Sequence, residues 1–540
     1  MLFNAPEFLL AFLPTVVIGF FLIARIGRPD WAIAWLVVAS LFFYAWWRID
    51  FLPLLLLSVL FNFAVGRLLA ARPHGWLLAV GIAGNLAALG WFKYAGFLAD
   101  AINSLTGAGL PVPQVLLPLA ISFFTFQQIA YLVDAHAGAA RETSLTRYAL
   151  FVVFFPQLIA GPIVHHKEML SQFDDPEIYR PRLDSVVLGL TAFSIGLFKK
   201  VFIADPLASQ TPLAFGPALE GLAPGFVDAW IGSIAFSLQL YFDFSGYSDM
   251  AIGLGLMFGI RLPVNFASPF KSAGIIEFWQ RWHITLTRFL TAYLYTPLVT
   301  AAMRRRQRDG KPMLKRSAPA FGPFVSLLAV PTLITMGLAG VWHGAGWQFV
   351  VFGLLHGALL VLNHAWRFTG RKLVGEFDPG PIGHAAAVLV TFLTVTVTLV
   401  FFKAASLEHA LTVLRGMAGF GGDVEVMARL GGLDPDTVGT LQQMVTRLAT
   451  TQGALLLGAL AIVWLLPNTP QYIESIAGPV ERRVAETTRG VRGWLAALRH
   501  ADPLVPRPNA FQGAVVGMLL SLALLRALSV APSEFLYFTF

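Results

Sequence analysis

Cysteine is absent from all 540 residues, which excludes disulfides, thiolate nucleophiles and cysteine metal sites. Charge is scarce as well. Asp, Glu, Lys and Arg make up 13% of the chain, too little to cover the surface of a soluble protein of this length. No HExxH occurs, and the histidines lack the spacing of metal ligands, so no metal site is expected. No solenoid period and no inverted repeat is evident. The opening MLFNAPEFLLAFLP has neither a basic n-region nor a small-residue cleavage site, and reads as a retained helix.

What the chain has instead is apolar surface: 56% hydrophobic residues and a mean hydropathy of +0.69. Mainly apolar stretches fall at 8–26, 31–47, 51–71, 76–98, 114–133, 148–164, 185–203, 226–242, 250–265, 282–301, 322–341, 345–364, 385–403, 452–467 and 513–530. The pattern predicts an all-α polytopic membrane protein with roughly 11–14 transmembrane or re-entrant helices. No soluble domain is expected. The whole chain, 1–540, reads as one membrane domain: N-terminal helices in 1–113, a core in 114–404, and C-terminal helices in 405–540.

The net charge of +8 gathers in loops, as the positive-inside rule requires, and points to no nucleic-acid partner. Arg304–Arg316 holds seven basic residues against Asp309 and is placed in the cytoplasm. Segment 468–512 carries Arg482, Arg483, Arg489, Arg492, Arg499 and Arg507 and takes the same side, with a surface amphipathic helix expected around Val484–Leu498. The more acidic 405–450, with Glu408, Asp423, Glu425, Asp434 and Asp436, takes the opposite face, and Phe540 is then also expected outside.

Polar residues kept within apolar segments are costly and therefore functional candidates, helix–helix hydrogen bonding being the alternative. GVWHGAGWQFVVFGLLHG, residues 340–357, has Gly340-x-x-x-Gly344 and Gly353-x-x-x-Gly357 for close helix approach. His343 and His356 stand about 220° apart on an ideal helix, so one face cannot present both. The run Gly344-Ala-Gly346 invites a break that would let His343 line a cavity while His356 packs or hydrogen-bonds. Trp342 and Trp347 flank this candidate as possible substrate contacts.

In EFWQRWHITLTRFL, residues 277–290, a single helix would gather Glu277, Arg281 and Arg288 within about 40° as an ion-paired stripe. His283 then falls on another face, beside Trp279 and Thr287. YFDFSGYSDM places Asp243 and Asp249 around Gly246, where a broken helix would coordinate an ion or hold a buried structural network. FPQLIAGPIVHH suggests a re-entrant or interfacial segment; His165 and His166 could be ligands, but adjacent residues do not share a helical face, and a solvated loop is the expected fate. Lys199 and Lys200 in GLFKKVFIAD read as a membrane–cytosol boundary, with attraction of an anionic substrate as the other reading.

Together FFPQLIAGPIV, GLFKKVFIAD, YFDFSGYSDMAIGLGLMFGIRLPVNFASPF, EFWQRWHITLTRFLTAYLY, GVWHGAGWQFVVFGLLHG, FFKAASLEHA, WLLPNTPQ and SEFLYFTF resemble the membrane-bound O-acyltransferase family, in its bacterial alginate O-acetyltransferase-like branch. The resemblance implies a ring of tilted helices around a central funnel. It implies His343 as the catalytic histidine and His283 as its second. Within the same stretches Trp342, Trp347, Trp279, Asp243, Lys199 and Lys200 are the substrate-binding candidates. It further implies O-acetylation of an exported polysaccharide, acetyl-CoA as donor substrate with no tightly bound cofactor, a periplasmic acyltransferase partner, and a bacterial inner membrane location. One departure stands out. Relatives commonly read RDYLY and then a Gly-Gly-Asn-Arg run, whereas this chain has Thr291-Ala-Tyr-Leu-Tyr295 followed by Thr296-Pro-Leu-Val. The rival classes are an ion- or proton-coupled transporter using Asp243, Asp249, His283 and His343, and a non-catalytic scaffold of a polysaccharide synthase.

Overall fold

The computed structural model describes residues 1–314, 320–374, 380–421, 435–477 and 510–536. Among them the regular structure is helical, without strands. Among the described residues seven helices are long and apolar enough to cross a membrane: Phe8–Arg25, Ile49–Ala71, Gly75–Thr106, Leu183–Ala208, Phe321–His343, Trp347–Thr369 and Gly380–Lys403. Gln442–Leu448 and Thr451–Leu465, bent by 81°, make an eighth if taken as one span, and Pro29–Ala45 and Gly513–Ser529 are shorter apolar helices. This is fewer than the roughly 11–14 segments that apolar runs suggest, because several runs fold otherwise. The run at 148–164 breaks after Val153 into a four-residue turn and irregular backbone at its Pro156 and Gly161–Pro162. The runs at 226–242 and 250–265 meet in one helix, Phe226–Met257.

The chain forms two compact units. The first comprises residues 1–202, 243–267 and 465–539 and so draws on all three regions marked out along the sequence. Its helix Ile121–His136 packs on Leu52–Ala71 and Gly75–Leu89, which are joined by reciprocal side-chain amide bonds between Asn62 and Asn85 at 3.1 and 2.6 Å. Two amides that satisfy each other remove the cost of placing either among apolar side chains. The start of the chain is also interior: the Phe3 ring stacks on Tyr247 at 4.7 Å and joins a cluster with Phe8 and Phe43.

Gly246 does not break its helix. A methyl there would lie 2.8 Å from the carbonyl oxygen of Gly196, so the glycine allows Leu183–Phe198 to cross Phe226–Met257 at backbone contact. That crossing brings two lysines onto two carboxylates. Lys200 Nζ lies 2.7 Å from Asp243 Oδ1, and Lys199 Nζ lies 2.6 Å from Asp249 Oδ2. Both lysines are therefore paired inside the protein. Lys200 is 1% exposed, inside the span Leu183–Ala208, because an acid waits for each ammonium in the facing helix.

The second unit comprises 203–242 and 268–464. Its tightest pairing is the hairpin of Val330–His343 with Trp347–Val374. A methyl on Gly340 would collide with the carbonyl of Phe349, and one on Gly353 with that of Met336, so these glycines set the approach of the two helices. After His343 the backbone opens into extended Gly344 before the helix resumes at Trp347, the break that Gly344-Ala-Gly346 predicts. At Thr291–Tyr295 the residues form one wide helical turn that leads directly into Thr296–Arg308.

Residues 315–319, 375–379, 422–434, 478–509 and 537–540 lie outside the described residues. So do Lys315 and Arg316 of the basic loop, Asp423, Glu425 and Asp434 of 405–450, all six arginines of 468–512 with the helix expected around Val484–Leu498, and Phe540.

Candidate active site

EFWQRWHITLTRFL is not one helix. Ile275–Arg281 ends at extended Trp282, His283 takes a left-handed conformation at φ 43° and ψ 53°, and a new helix runs over Ile284–Leu290. The expected Glu277–Arg281 ion pair forms at 2.6 Å, but Arg288 belongs to the next helix, so the three-residue stripe is cut. Among the described residues only Ala120, Ser268 and His283 are non-glycines with positive φ. A left-handed histidine costs on the order of 1–2 kcal/mol. Such strain persists where packing over-determines it, and His283 is 0% exposed.

Trp342 joins the two histidines. Its ring centroid lies 5.0 Å from that of His343 and 6.3 Å from that of His283. His343, the last residue of its helix and 6% exposed, is walled by Phe402 at 5.1 Å and Phe352 at 6.1 Å. Both imidazoles thus sit against one indole in an aromatic enclosure built by Val330–His343, Trp347–Val374, Gly380–Lys403 and the break at Trp282–His283.

His356 serves a different purpose. Trp279 Nε1 donates to His356 Nδ1 at 3.2 Å, so the ring proton sits on Nε2 and is donated to Thr398 Oγ1 at 2.9 Å. The Thr398 hydroxyl in turn donates to the Val395 carbonyl at 2.8 Å. Every polar group of this chain is satisfied with His356 neutral, and the chain fastens the helix preceding His283 to two spans. Trp279 therefore commits its N–H to His356. Trp347 is 53% exposed.

Asp243, Lys199 and Lys200 belong to the first unit, where their partners are internal. Thr469 donates to Asp249 at 2.6 Å and accepts from Lys199 at 2.9 Å; Leu536 N–H donates to Asp243 at 2.7 Å and the Glu534 carbonyl accepts from Lys200 at 2.9 Å. WLLPNTPQ and SEFLYFTF thus each close one buried Lys–Asp pair. FFKAASLEHA has a comparable explanation: Ser406 caps the helix Leu407–Met417, while His409 accepts from Ala405 N–H at 3.1 Å and donates to the Phe215 carbonyl at 3.1 Å. Burial lowers the pKa of His409, in keeping with this neutral role. Phe352, Phe402, Thr398 and Thr469 carry no sequence signal as site-builders, since an aromatic or hydroxyl side chain in an apolar helix looks alike whether it faces a site, a core or lipid.

The left-handed backbone yields a test. Asn tolerates that conformation better than β-branched residues do. His283→Asn is expected to keep the thermal midpoint within a few degrees of wild type, whereas His283→Val lowers stability by about 2 kcal/mol or more. Thermal unfolding of the two purified variants checks this, and equal stability would remove the strain.

Buried imidazoles beside an aromatic wall, within a bundle of apolar helices, are polar groups of the kind that mark a functional site in a membrane protein. A family model for membrane-bound O-acyltransferases matches residues 137–309, a range that includes His283 and stops short of His343. A peptidoglycan O-acetyltransferase of Helicobacter pylori is 43% identical over 454 residues, 78% of this chain and 80% of that protein. The chain belongs to the membrane-bound O-acyltransferase family and is an O-acyltransferase. A probable alginate O-acetylase AlgI of Azotobacter vinelandii is 34% identical over 555 residues, covering 100% of both chains. A teichoic acid D-alanyltransferase of Streptococcus thermophilus is 26% identical over 296 residues, 53% of this chain and 68% of that protein.

Proposed function

We propose that this protein O-acetylates an exported polysaccharide, with His343 as the general base. In this reading a glycan hydroxyl gives its proton to neutral His343 as its oxygen attacks the thioester carbonyl. The C–S bond breaks, the ester forms, and the thiol leaves with a proton returned from the imidazolium. His283 orients or polarises the carbonyl. The observation that supports this most is the placement of both imidazoles on the single indole of Trp342. The names of the two acetylating relatives favour acetyl as the group moved and a polysaccharide as its acceptor. A coenzyme A thioester supplied from the cytosol, a periplasmic partner that completes transfer, and residence in a bacterial inner membrane complete the proposal.

The buried ion pairs speak against the transporter reading. An ion path needs carboxylates that exchange partners, and Asp243 and Asp249 are each held by a lysine and a further hydrogen bond.

The experiment uses purified protein in vesicles of known orientation, with acceptor glycan and partner present. Free thiol is expected only when acetyl-CoA is supplied on the face bearing Arg304–Lys311. The apparent donor affinity is expected to weaken with salt, because that attraction is screened over about 8–10 Å. Equal thiol release from both faces would refute one-sided donor use, and solute flux without thiol release would restore the transporter.

A further inference from the structure

His165 and His166 do not share the fate expected of a solvated loop. His166 is only 5% exposed, and both rings gather at the end of the helix Ile121–His136 against Asp134. Adjacent residues diverge on a helix, but His165 has extended backbone, at φ −82° and ψ 141°, as the N-cap of the turn His166–Met169. The ring centroids are consequently 4.3 Å apart.

The hydrogen bonds assign the ring nitrogens. His165 Nδ1 accepts from the Lys167 N–H at 3.3 Å, which leaves Nε2 as the nitrogen that meets Asp134 Oδ2 at 2.7 Å. His166 Nε2 faces the Ala139 carbonyl at 3.5 Å and is its donor, so His166 Nδ1 carries a lone pair. That nitrogen borders the cluster. Nδ1 lies 3.4 Å from the same Asp134 oxygen, is buried, and makes no hydrogen bond among the described residues. A buried lone pair facing a carboxylate oxygen is unfavourable unless a cation lies between them.

We propose that Asp134, His165 and His166 bind one divalent transition-metal ion. The three ligand atoms lie within 4.8 Å of one another. Ligands about 2.0–2.1 Å from a tetrahedral ion stand roughly 3.3–3.4 Å apart, the spacing already present between Asp134 Oδ2 and His166 Nδ1. The shorter His165 contact opens when the ring proton moves from Nε2 to Nδ1, which gives up the bond from Lys167 N–H and frees Nε2 as a neutral ligand. Two imidazoles and one carboxylate suit Zn²⁺, leaving a fourth position for water. The side chains of His165 and Asp134 are 27% and 18% exposed, which gives the ion a way in. The ion would clasp the FPQLIAGPIV segment to the end of the helix Ile121–His136, a role separate from the histidines at Trp342.

The test uses full-length protein in detergent, stripped with a chelator and titrated with Zn²⁺ by calorimetry and with Co²⁺ by visible absorption. One equivalent is expected to bind, with the intense d–d bands of tetrahedral Co²⁺. His165→Ala, at the exposed edge of the cluster, and Asp134→Asn are each expected to weaken binding by about 100-fold or more. His74→Ala, at an exposed histidine elsewhere, leaves it unchanged. Wild-type protein supplies a readout independent of folding in the variants: Zn²⁺ is expected to abolish diethyl pyrocarbonate modification of His165, read by mass spectrometry. No stoichiometric binding, affinity unchanged in both ligand variants, or modification of His165 undiminished by Zn²⁺ would reduce the cluster to a hydrogen-bonded tie and overturn the proposal.

Discussion

Replacing His343 by alanine is expected to lower acyl transfer by at least about 10³-fold while the protein still inserts and folds. That size of effect follows from the proposed general-base role, worth about 10²–10⁴-fold in rate. The folding estimate follows from position. His343 is the last residue of its helix, ahead of an extended glycine, so no helical turn depends on its side chain. Truncation opens a space lined by Trp342, Phe352 and Phe402. His343→Gln fills more of that space without supplying a base, and should be as inactive as His343→Ala. The acetyl content of the exported polymer, with membrane yield as control, decides the matter. Near-normal acetylation in either variant would take His343 out of the chemistry.

The second large effect concerns stability. Lys200→Met removes the cation from a buried pair whose acid is Asp243, at a cost of roughly 3–5 kcal/mol. Asp243 and Lys200 have side-chain exposures of 2% each, so water does not replace the lost partner. Combining Lys200→Met with Asp243→Asn removes the stranded charge while an amide oxygen still accepts from Leu536 N–H. The double variant is therefore expected to recover most of the loss, because a buried pair is worth little against a neutral replacement of similar volume. Thermal unfolding in detergent would show the single variant far below wild type and the double variant between them. Equal losses in both would mean that the lysine packs rather than pairs.

Much of the architecture was legible in the residues. Apolar length alone marks the long spans, since a bilayer admits only segments that satisfy their own backbone. Gly340 and Gly353 were readable as packing residues, and Gly344-Ala-Gly346 as a break. The helical period misled at His283, because nothing in EFWQRWHITLTRFL announces a left-handed residue: histidine has a Cβ, and only surrounding packing holds it in that conformation. It misled again at Gly246, where the signal for a break is the same as the signal for a helix crossing.

The sequence by itself determined the class of protein, the placement of the long apolar helices and the candidacy of His343 and His283, because those depend on composition, run length and local motif. Only the tertiary structure decided which polar residues meet. Lys199 and Lys200 face acids 50 and 43 residues away, closed respectively by a side chain and a backbone carbonyl near the far end of the chain. Trp342 joins two histidines 60 residues apart, while His356, one helix further on, spends both nitrogens on Trp279 and Thr398. A buried polar side chain carries the same letter whether it reacts, pairs or packs. Its role is set by the atoms brought within about 3 Å of it, and long-range packing alone chooses those atoms.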